Sequence, residues 1–369
     1  MRTLKHIILI LICVAHRNYV SGACEVSYIM KCESIQDLLH NEEKKYWSEL
    51  LIEQDECTKA VSEFSLTPVH LDGIPFLKRL IVLNQLNSIE QFSFSNLSSL
   101  QFLNLYGNKL EVIKPSTFVQ LDLEEVKLKN NGIRRVESYA FESCKMKVLD
   151  LSYNNLTVLQ SESLHGCYII KLILKHNKLA KIEYNALPSY TRSLHFDYNE
   201  LESFSVAYLN RSHTIEVLSI SHNKLLTADL FTHFSAPKII DLSFNNIHSY
   251  RVGQSLLRNR YKIEFVSFAF NHLRMLNVTY VKNAPITWAL SGNPWICQCI
   301  NEINKFAYNM TLKIRRDPCD VSLTSSGRIP FCVGEFNDHE KCPSEDPIPE
   351  EYLQLFQKAL PKVSTCNYS

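Results

Sequence analysis

The chain has 369 residues with 39 Lys and Arg against 38 Asp and Glu, so it is close to neutral. That balance offers no electrostatic basis for holding nucleic acid or an anionic membrane. Only 9 glycines and no low-complexity tract leave little room for a flexible linker.

In chain order, residues 1–23 read as a secretory signal peptide. Arg2 and Lys5 give the positive end, Ile7 to Ala15 the apolar core, and Ser21-Gly22-Ala23 a small-residue cleavage site. Nine apolar residues broken by His16-Arg17-Asn18 are too few to span a bilayer. No later apolar run reaches spanning length, and the polar end STCNYS does not suit a lipid-anchor tail. The expected product is secreted, extracellular and soluble, with 36 basic against 38 acidic residues once Arg2, Lys5 and Arg17 are removed. Six glycosylation sequons, at Asn96, Asn155, Asn210, Asn277, Asn309 and Asn367, agree with that route.

Residues 24–75 form an N-terminal cap without a clean period, in which Cys24 and Cys32 are expected to close a small loop. LKRLIVLNQLNSI (77–89) reads as a degenerate repeat, with Gln85 where the later copies carry Asn. The repeat region, 76–295, then holds nine asparagines at intervals of 22 to 26 residues: Asn108, Asn131, Asn154, Asn177, Asn199, Asn223, Asn245, Asn271 and Asn293. Apolar residues mostly stand eight, five and three places before each Asn and two places after it, as in LQFLNLYGNKL (100–110) and MKVLDLSYNNL (146–156). Residues two apart, such as Leu103 and Leu105, share one face of an extended strand. The chain then turns away, and a buried Asn amide can donate and accept at once to the adjacent turn, so the column is expected to form a ladder. Phe94/Leu97, Phe118/Leu121, Phe141/Cys144 and Leu164/Cys167 supply the opposite side of the coil. Cys144 and Cys167 each stand ten places before a ladder Asn, so they occupy stacked places, either as a disulfide or as two buried thiols. The 26-residue step before Asn271, with GQSLLRNRYK, is expected to carry a loop on one rim.

These copies match L-x-x-L-x-L-x-x-N-x-L, and the chain is identified as resembling leucine-rich repeat proteins. The resemblance implies an α/β fold, a right-handed leucine-rich repeat solenoid (horseshoe) with a disulfide-bonded C-terminal cap. One repeat cannot bury its apolar edge alone, whereas a stack can.

After the array, Asn293-Pro294-Trp295 and Cys297-x-Cys299 resemble the cysteine-rich C-terminal cap of extracellular members, here 296–342. That resemblance implies the bonds Cys297–Cys319 and Cys299–Cys332, with Cys342 an alternative partner for Cys299. A zinc reading of C-x-C lacks a His at ligand spacing. Eleven cysteines remain after Cys13 leaves with the signal, so one is left over: Cys57 or Cys366, as a bond to a second chain or a free thiol, unless a local loop is paired differently. The tail, 343–369, contains PEEYLQLFQKAL (349–360), which reads as a short helix whose Leu353, Phe356 and Leu360 share one face.

The whole layout resembles the secreted leucine-rich-repeat immune proteins of mosquitoes, through the Cys24/Cys32 opening, the array, the N-P-W-x-C cap and the cysteine-bearing tail. Those relatives imply a haemolymph protein that joins a second leucine-rich repeat chain and holds a complement-like thioester protein for delivery to pathogens. This chain stops at Ser369 without a heptad run, so it reads as a coil-less member.

No H-E-x-x-H, G-x-S-x-G, P-loop or dinucleotide motif is present, so neither enzymatic activity nor a cofactor is expected. The expected function is non-enzymatic protein binding in insect innate immunity, with extracellular adhesion or receptor signalling as the alternative. The concave face, about 40 Å along nine strands, is large enough for a protein interface. Its outward positions include Lys127, Lys129, Lys171, Lys175 and His195, with Glu125, Asp150 and Asp197 between them. Later ones are Ser219, Ser221, Ile239, Ser243, Phe265, Ser267 and Ala269, which are small or apolar. A column just before the Asn reads Tyr153, His176, Tyr198, His222, Phe244 and Phe270. The expectation is a binding face basic at one end and aromatic at the other; the alternative is that lysines solubilise and the rings pack on themselves.

Overall fold

The structure is a computed structural model that describes residues 30–32, 47–53, 64–164, 166–205, 215–228, 238–250, 263–275, 286–296, 299 and 313–314. The described residues fall into two compact units, 30–191 and 192–314.

In the first unit seven parallel strands follow one another in chain order: Met30–Cys32, Glu49–Glu53, Arg79–Leu83, Phe102–Asn104, Asp122–Lys127, Lys145–Asp150 and Tyr168–Ile173. Each strand carries one side chain in for every one out. Leu103, Val126, Leu149 and Leu172 are buried in one row, and Leu105, Leu128, Leu151 and Leu174 in the next. Because neighbouring strands pair in register, each row buries a continuous seam that no single coil could close. The first two strands come from the N-terminal segment that showed no period in the sequence. Leu50 and Ile52 join the apolar seam there, and Gln85 is buried at the ladder place of the degenerate repeat.

In the first unit the return half of the coils also carries short extended stretches. Short parallel pairs form between Val112–Ile113 and Arg135–Val136, Phe118–Val119 and Phe141–Glu142, and Val158–Leu159 and Lys181–Ile182. Among the described residues the only multi-residue helical element is a 3-10 turn, Pro68–Leu71. The described part of the array is therefore mostly sheet, and the helical half of an α/β class is not found among the described residues. Phe94, Phe118 and Phe141 fill this side instead, fully buried and stacked at 5.3 and 4.5 Å between centroids. Removing such a ring to Ala costs about 3–5 kcal/mol.

The second unit repeats the plan with Ser193–His195, Val217–Ser219, Ile239–Asp241, Phe265–Ser267, Thr287–Ala289 and Lys313–Ile314. Its seam holds Leu218, Ile240, Val266 and Trp288, then Phe196, Ile220, Leu242 and Phe268. Trp295 closes the last described coil, buried, with its indole N–H donating to Leu290 O at 3.1 Å.

All nine asparagines are buried, and within each unit amides of the ladder link coil to coil, though Asn131 Oδ1 itself has no hydrogen-bond partner. The Asn154 side chain shows the rule. Its Nδ2 donates to Leu151 O in its own coil and to Leu128 O in the preceding one, both at 2.9 Å. Its Oδ1 accepts the amides of Asn131 and Ile133, each at 3.0 Å. Asn108 does the same with Val82 O, Gln85 N and Leu86 N, and Asn223, Asn245, Asn271 and Asn293 continue the pattern in the second unit. Carbonyls inside the array take two neighbouring side-chain amides: Leu128 O accepts from Asn131 as well as Asn154, and Leu151 O from Asn154 as well as Asn177. Such bonds matter because a buried amide left without a partner costs about 1–3 kcal/mol.

Several features expected from the sequence lie outside the described residues: the signal 1–23, Cys24, Cys57, Cys297, Cys319, Cys332, Cys342, Cys366, the sequons Asn210, Asn277, Asn309 and Asn367, the stretch 253–262 and the tail 343–369. The side chain of Cys32 lies outside them too. No helix among the described residues is long and apolar enough to cross a membrane.

Candidate functional site

The ladder fixes what each strand presents outward. Places three and five before each asparagine face the core, so places two, four and six face away from it. The outward rows of the two units differ in chemistry.

In the first unit, Lys127 pairs with Glu125 on its own strand at 3.1 Å. The register sets Asp150 beside Lys127, and Glu125, Val148 and Lys171 in one row. Lys129 holds its ammonium 4.7 Å from the centroid of the Tyr153 ring, and His176 stacks on that ring at 4.3 Å. Arg79 lies over Phe102 in the same way, at 4.7 Å. Lys171 is exposed and Lys175 half-buried. The basic end expected from the sequence is thus mixed in sign, with Lys127 offset by its own strand. An exposed pair of this kind contributes roughly 0–1 kcal/mol, so its role is to shape the surface rather than to hold the fold.

In the second unit the outward rows are small and polar in the middle. Asp197 is buried, and its Oδ1 accepts from the hydroxyl of Ser219, the hydroxyl of Ser221 at 2.8 Å and the Ser221 amide at 3.1 Å. Asp241 lies level with Ser219 and Ser267 on the neighbouring strands. Its Oδ1 takes the Ser243 amide at 3.0 Å and the Ser243 hydroxyl at 2.7 Å. Burial pushes the Asp241 carboxyl above the usual carboxylate range; the Ser243 bonds oppose this, the charge of Asp197 adds to it, and His222 offsets it. His195 sits at the edge of this row, its Nε2 2.8 Å from Ser193 Oγ.

Beside the polar rows runs a column of rings. Tyr198 stacks on His222 at 4.1 Å, His222 on Phe244 at 4.1 Å, and Phe244 on Phe270 at 4.5 Å, all within 8° of parallel. Every residue of the column has positive φ: 57° at Tyr198, 53° at His222, 55° at Phe244, 54° at Phe270 and 68° at Gly292. That conformation costs a non-glycine residue about 1–3 kcal/mol. It turns each N–H onto the next coil, as from His222 to Ser243 O at 3.0 Å and from Phe270 to Ser291 O at 2.7 Å. These rings therefore pack against one another, while Tyr198 stays 45% exposed.

Sequence reasoning passed over two features. Asp241 went unnamed within a stretch read as small and apolar, although its outward place could be counted from Asn245. The positive φ of the ring column was also missed, yet Gly107, Asn130 and Gly292 occupy the same column and are residue types that favour it. Elsewhere, Cys144 and Cys167 are both buried and stand as two thiols. Cys144 donates to Phe118 O at 3.1 Å, and the Cys144 contact together with burial pushes the Cys167 thiol well above its ordinary range. Cys299 is buried. The sequon residue Asn96 is exposed and Asn155 half-buried, and neither lies on an outward row.

Six copies of the BspA type leucine rich repeat region match this chain, over residues 73–191 and 111–236. No curated protein matches it in sequence. Among solved structures, the leucine-rich repeat domain of APL1B superposes with a TM-score of 0.52 at 16% identity, covering 84% of this chain and 92% of that one. Human 5T4 (Wnt-activated inhibitory factor 1, trophoblast glycoprotein) gives a TM-score of 0.44 at 19% identity, covering 52% and 77%. The Toll–Spatzle complex of Drosophila gives 0.42 at 16% identity, covering 78% and 47%. At these identities the APL1B likeness speaks for the fold alone.

Proposed function

We propose that this chain, whose leucine-rich repeats span residues 73–236, is a secreted non-enzymatic binding protein that grips a protein ligand on the outward face of its sheet. We place it in insect innate immunity, holding a complement-like thioester protein or a pathogen surface. One observation carries the binding part: the outward side chains are held by one another before any partner arrives. Lys129 lies on Tyr153, Asp197 and Asp241 are held by serines, and four rings form a stack. A surface already ordered loses little entropy on binding. The sequons Asn96 and Asn155 lie off those rows, so sugar there would leave the face clear. Secretion is supported by the N-terminal sequence pattern, and the immune role by the layout of cap, array and cysteine-bearing tail.

The test is capture from insect haemolymph by the full secreted chain, with bound proteins identified by mass spectrometry. The wild type should retain a thioester protein. A variant carrying Lys171→Glu and Lys175→Glu, or one carrying Ser243→Arg, should lose about tenfold or more of that affinity, some 1.4 kcal/mol. Capture untouched by both variants would remove the sheet face as the site. Recovery of a receptor ectodomain instead would move the role to adhesion or signalling.

A further inference from the structure

Within the second unit the outward face is a trough, and its shape and chemistry narrow the partner; this rests on the sheet face being the binding surface. One bank is the row six places before the asparagines, where Val217, Ile239 and Phe265 lie in register. The ring stack from Tyr198 to Phe270 is the other. Five residues of extended chain separate the two, about 16 Å along the strand before side chains narrow the gap. Ser219, Ser221, Ser243 and Ser267 floor it, almost flush with the backbone, with Asp197 and Asp241 among them.

The floor has one chemical bias. The hydroxyl hydrogens of Ser219, Ser221 and Ser243 all point at carboxylate oxygens. What those hydroxyls still offer is lone pairs, and the carboxylates can only accept. The floor therefore asks for donors. Where the rings stack they cover one another's faces, so the bank offers ring edges, apolar at Phe244 and Phe270 and polar at Tyr198 and His222. Among the described residues no lysine or arginine forms an ion pair with Asp241, whose hydrogen bonds come from the amide and hydroxyl of Ser243 and whose charge His222 only partly offsets.

We propose that this trough receives an extended segment of a protein partner that seats an arginine or lysine head over Asp241 and Asp197, with flanking apolar side chains on the two banks. A guanidinium suits the site best, since it brings five donors in a plane, is weakly hydrated and has an apolar stem to lay along Ile239. A cation seated there would offset both the burial that raises the Asp241 carboxyl and the repulsion from Asp197. Main-chain N–H groups of the segment would meet the remaining serine lone pairs.

The probe is a phage-displayed library of random nonapeptides panned on the full chain, followed by titration of the enriched peptides. The enriched sequences should carry a central Arg or Lys between apolar residues. Replacing that residue by Gln, or Asp241→Asn in the protein, should each weaken binding by about 10–100-fold, as expected for a charge-assisted contact. The two losses should not multiply when combined, because they remove the same contact. Ser243→Arg, which places a guanidinium in the floor, should abolish binding. Enriched peptides without a cation, an absence of enrichment, or independent losses in the double variant would overturn the proposal. Peptides lost on Ser243→Arg but indifferent to Asp241→Asn would overturn the cationic partner and leave the sheet face standing. Indifference to both would overturn the trough as a site, and haemolymph capture that also ignored Ser243→Arg and the lysine variant would then remove the sheet face itself.

Discussion

Gly292 lies against the ring of Phe270: a Cβ added to it would come within 2.5 Å of the ring's Cδ1. Gly292 has φ of +68° and holds the place where the next ring of the column would stand. Gly292→Ala should therefore destabilise the chain twice over, by about 1–3 kcal/mol for the backbone and further for displacing Phe270. Gly132 is the control, with φ of +87° and nothing within 4 Å of its added Cβ. Urea unfolding of the full chain should show the larger loss at Gly292→Ala. Equal losses would mean that the ring contact carries no weight.

The ladder predicts an uneven injury on losing one rung. In Asn154→Ala, Leu128 O keeps Asn131 and Leu151 O keeps Asn177 as donors. The amides of Asn131 and Ile133 have no such reserve, since both donate to Asn154 Oδ1. Their stranding should cost about 1–3 kcal/mol each. Hydrogen exchange should quicken at Asn131 and Ile133 before it does at residues bonded to the carbonyl side. The sequon Asn155-Leu156-Thr157 is untouched by the change, so glycosylation does not confound the reading.

The frame of this fold was legible because its information is local. An apolar residue at five and three places before each Asn states the strand, and the repeat states the stack. The strands at Met30–Cys32 and Glu49–Glu53 were not legible, because their pairing comes from the edge offered by Arg79–Leu83 rather than from any period of their own. The ring column was visible as a column, but its backbone was not: Tyr, His and Phe disfavour positive φ, and only the shared bend forces them into it. Asp241 owes its raised carboxyl first to burial, with Asp197 and His222 on other coils adding smaller effects, and sequence proximity reveals neither.

The buried cysteines give a third test. Thiolate is the reactive form, so the raised Cys167 should resist iodoacetamide in the native chain, and burial should shield Cys144 with it. Unfolding in urea without reductant should open both to alkylation, read by peptide mapping. Recovery of a cross-linked Cys144–Cys167 peptide would instead establish the disulfide reading. That bond would close a loop of about twenty residues, and its reduction should then cost roughly 3 kcal/mol.

Asp241 gives the fourth. Its carboxyl is raised above the ordinary value of 3.8, so the folded state disfavours the ionised form. A raised group contributes stability that is fully present below the unfolded value and is lost as pH rises through the folded one. As pH rises through the folded value the wild type loses that contribution. Asp241→Asn keeps Oδ1 as acceptor for the Ser243 amide and hydroxyl while removing the charge. The variant should therefore melt higher than the wild type at pH 7, and the two should converge as pH falls below 3.8. Thermal unfolding across that range checks both points. A carboxylate that lowers stability yet sits in an acceptor-lined trough has the character of a group facing a ligand rather than holding a fold. Lower stability in Asp241→Asn at pH 7 would show the reverse, with Asp241 serving the serine network and nothing beyond it.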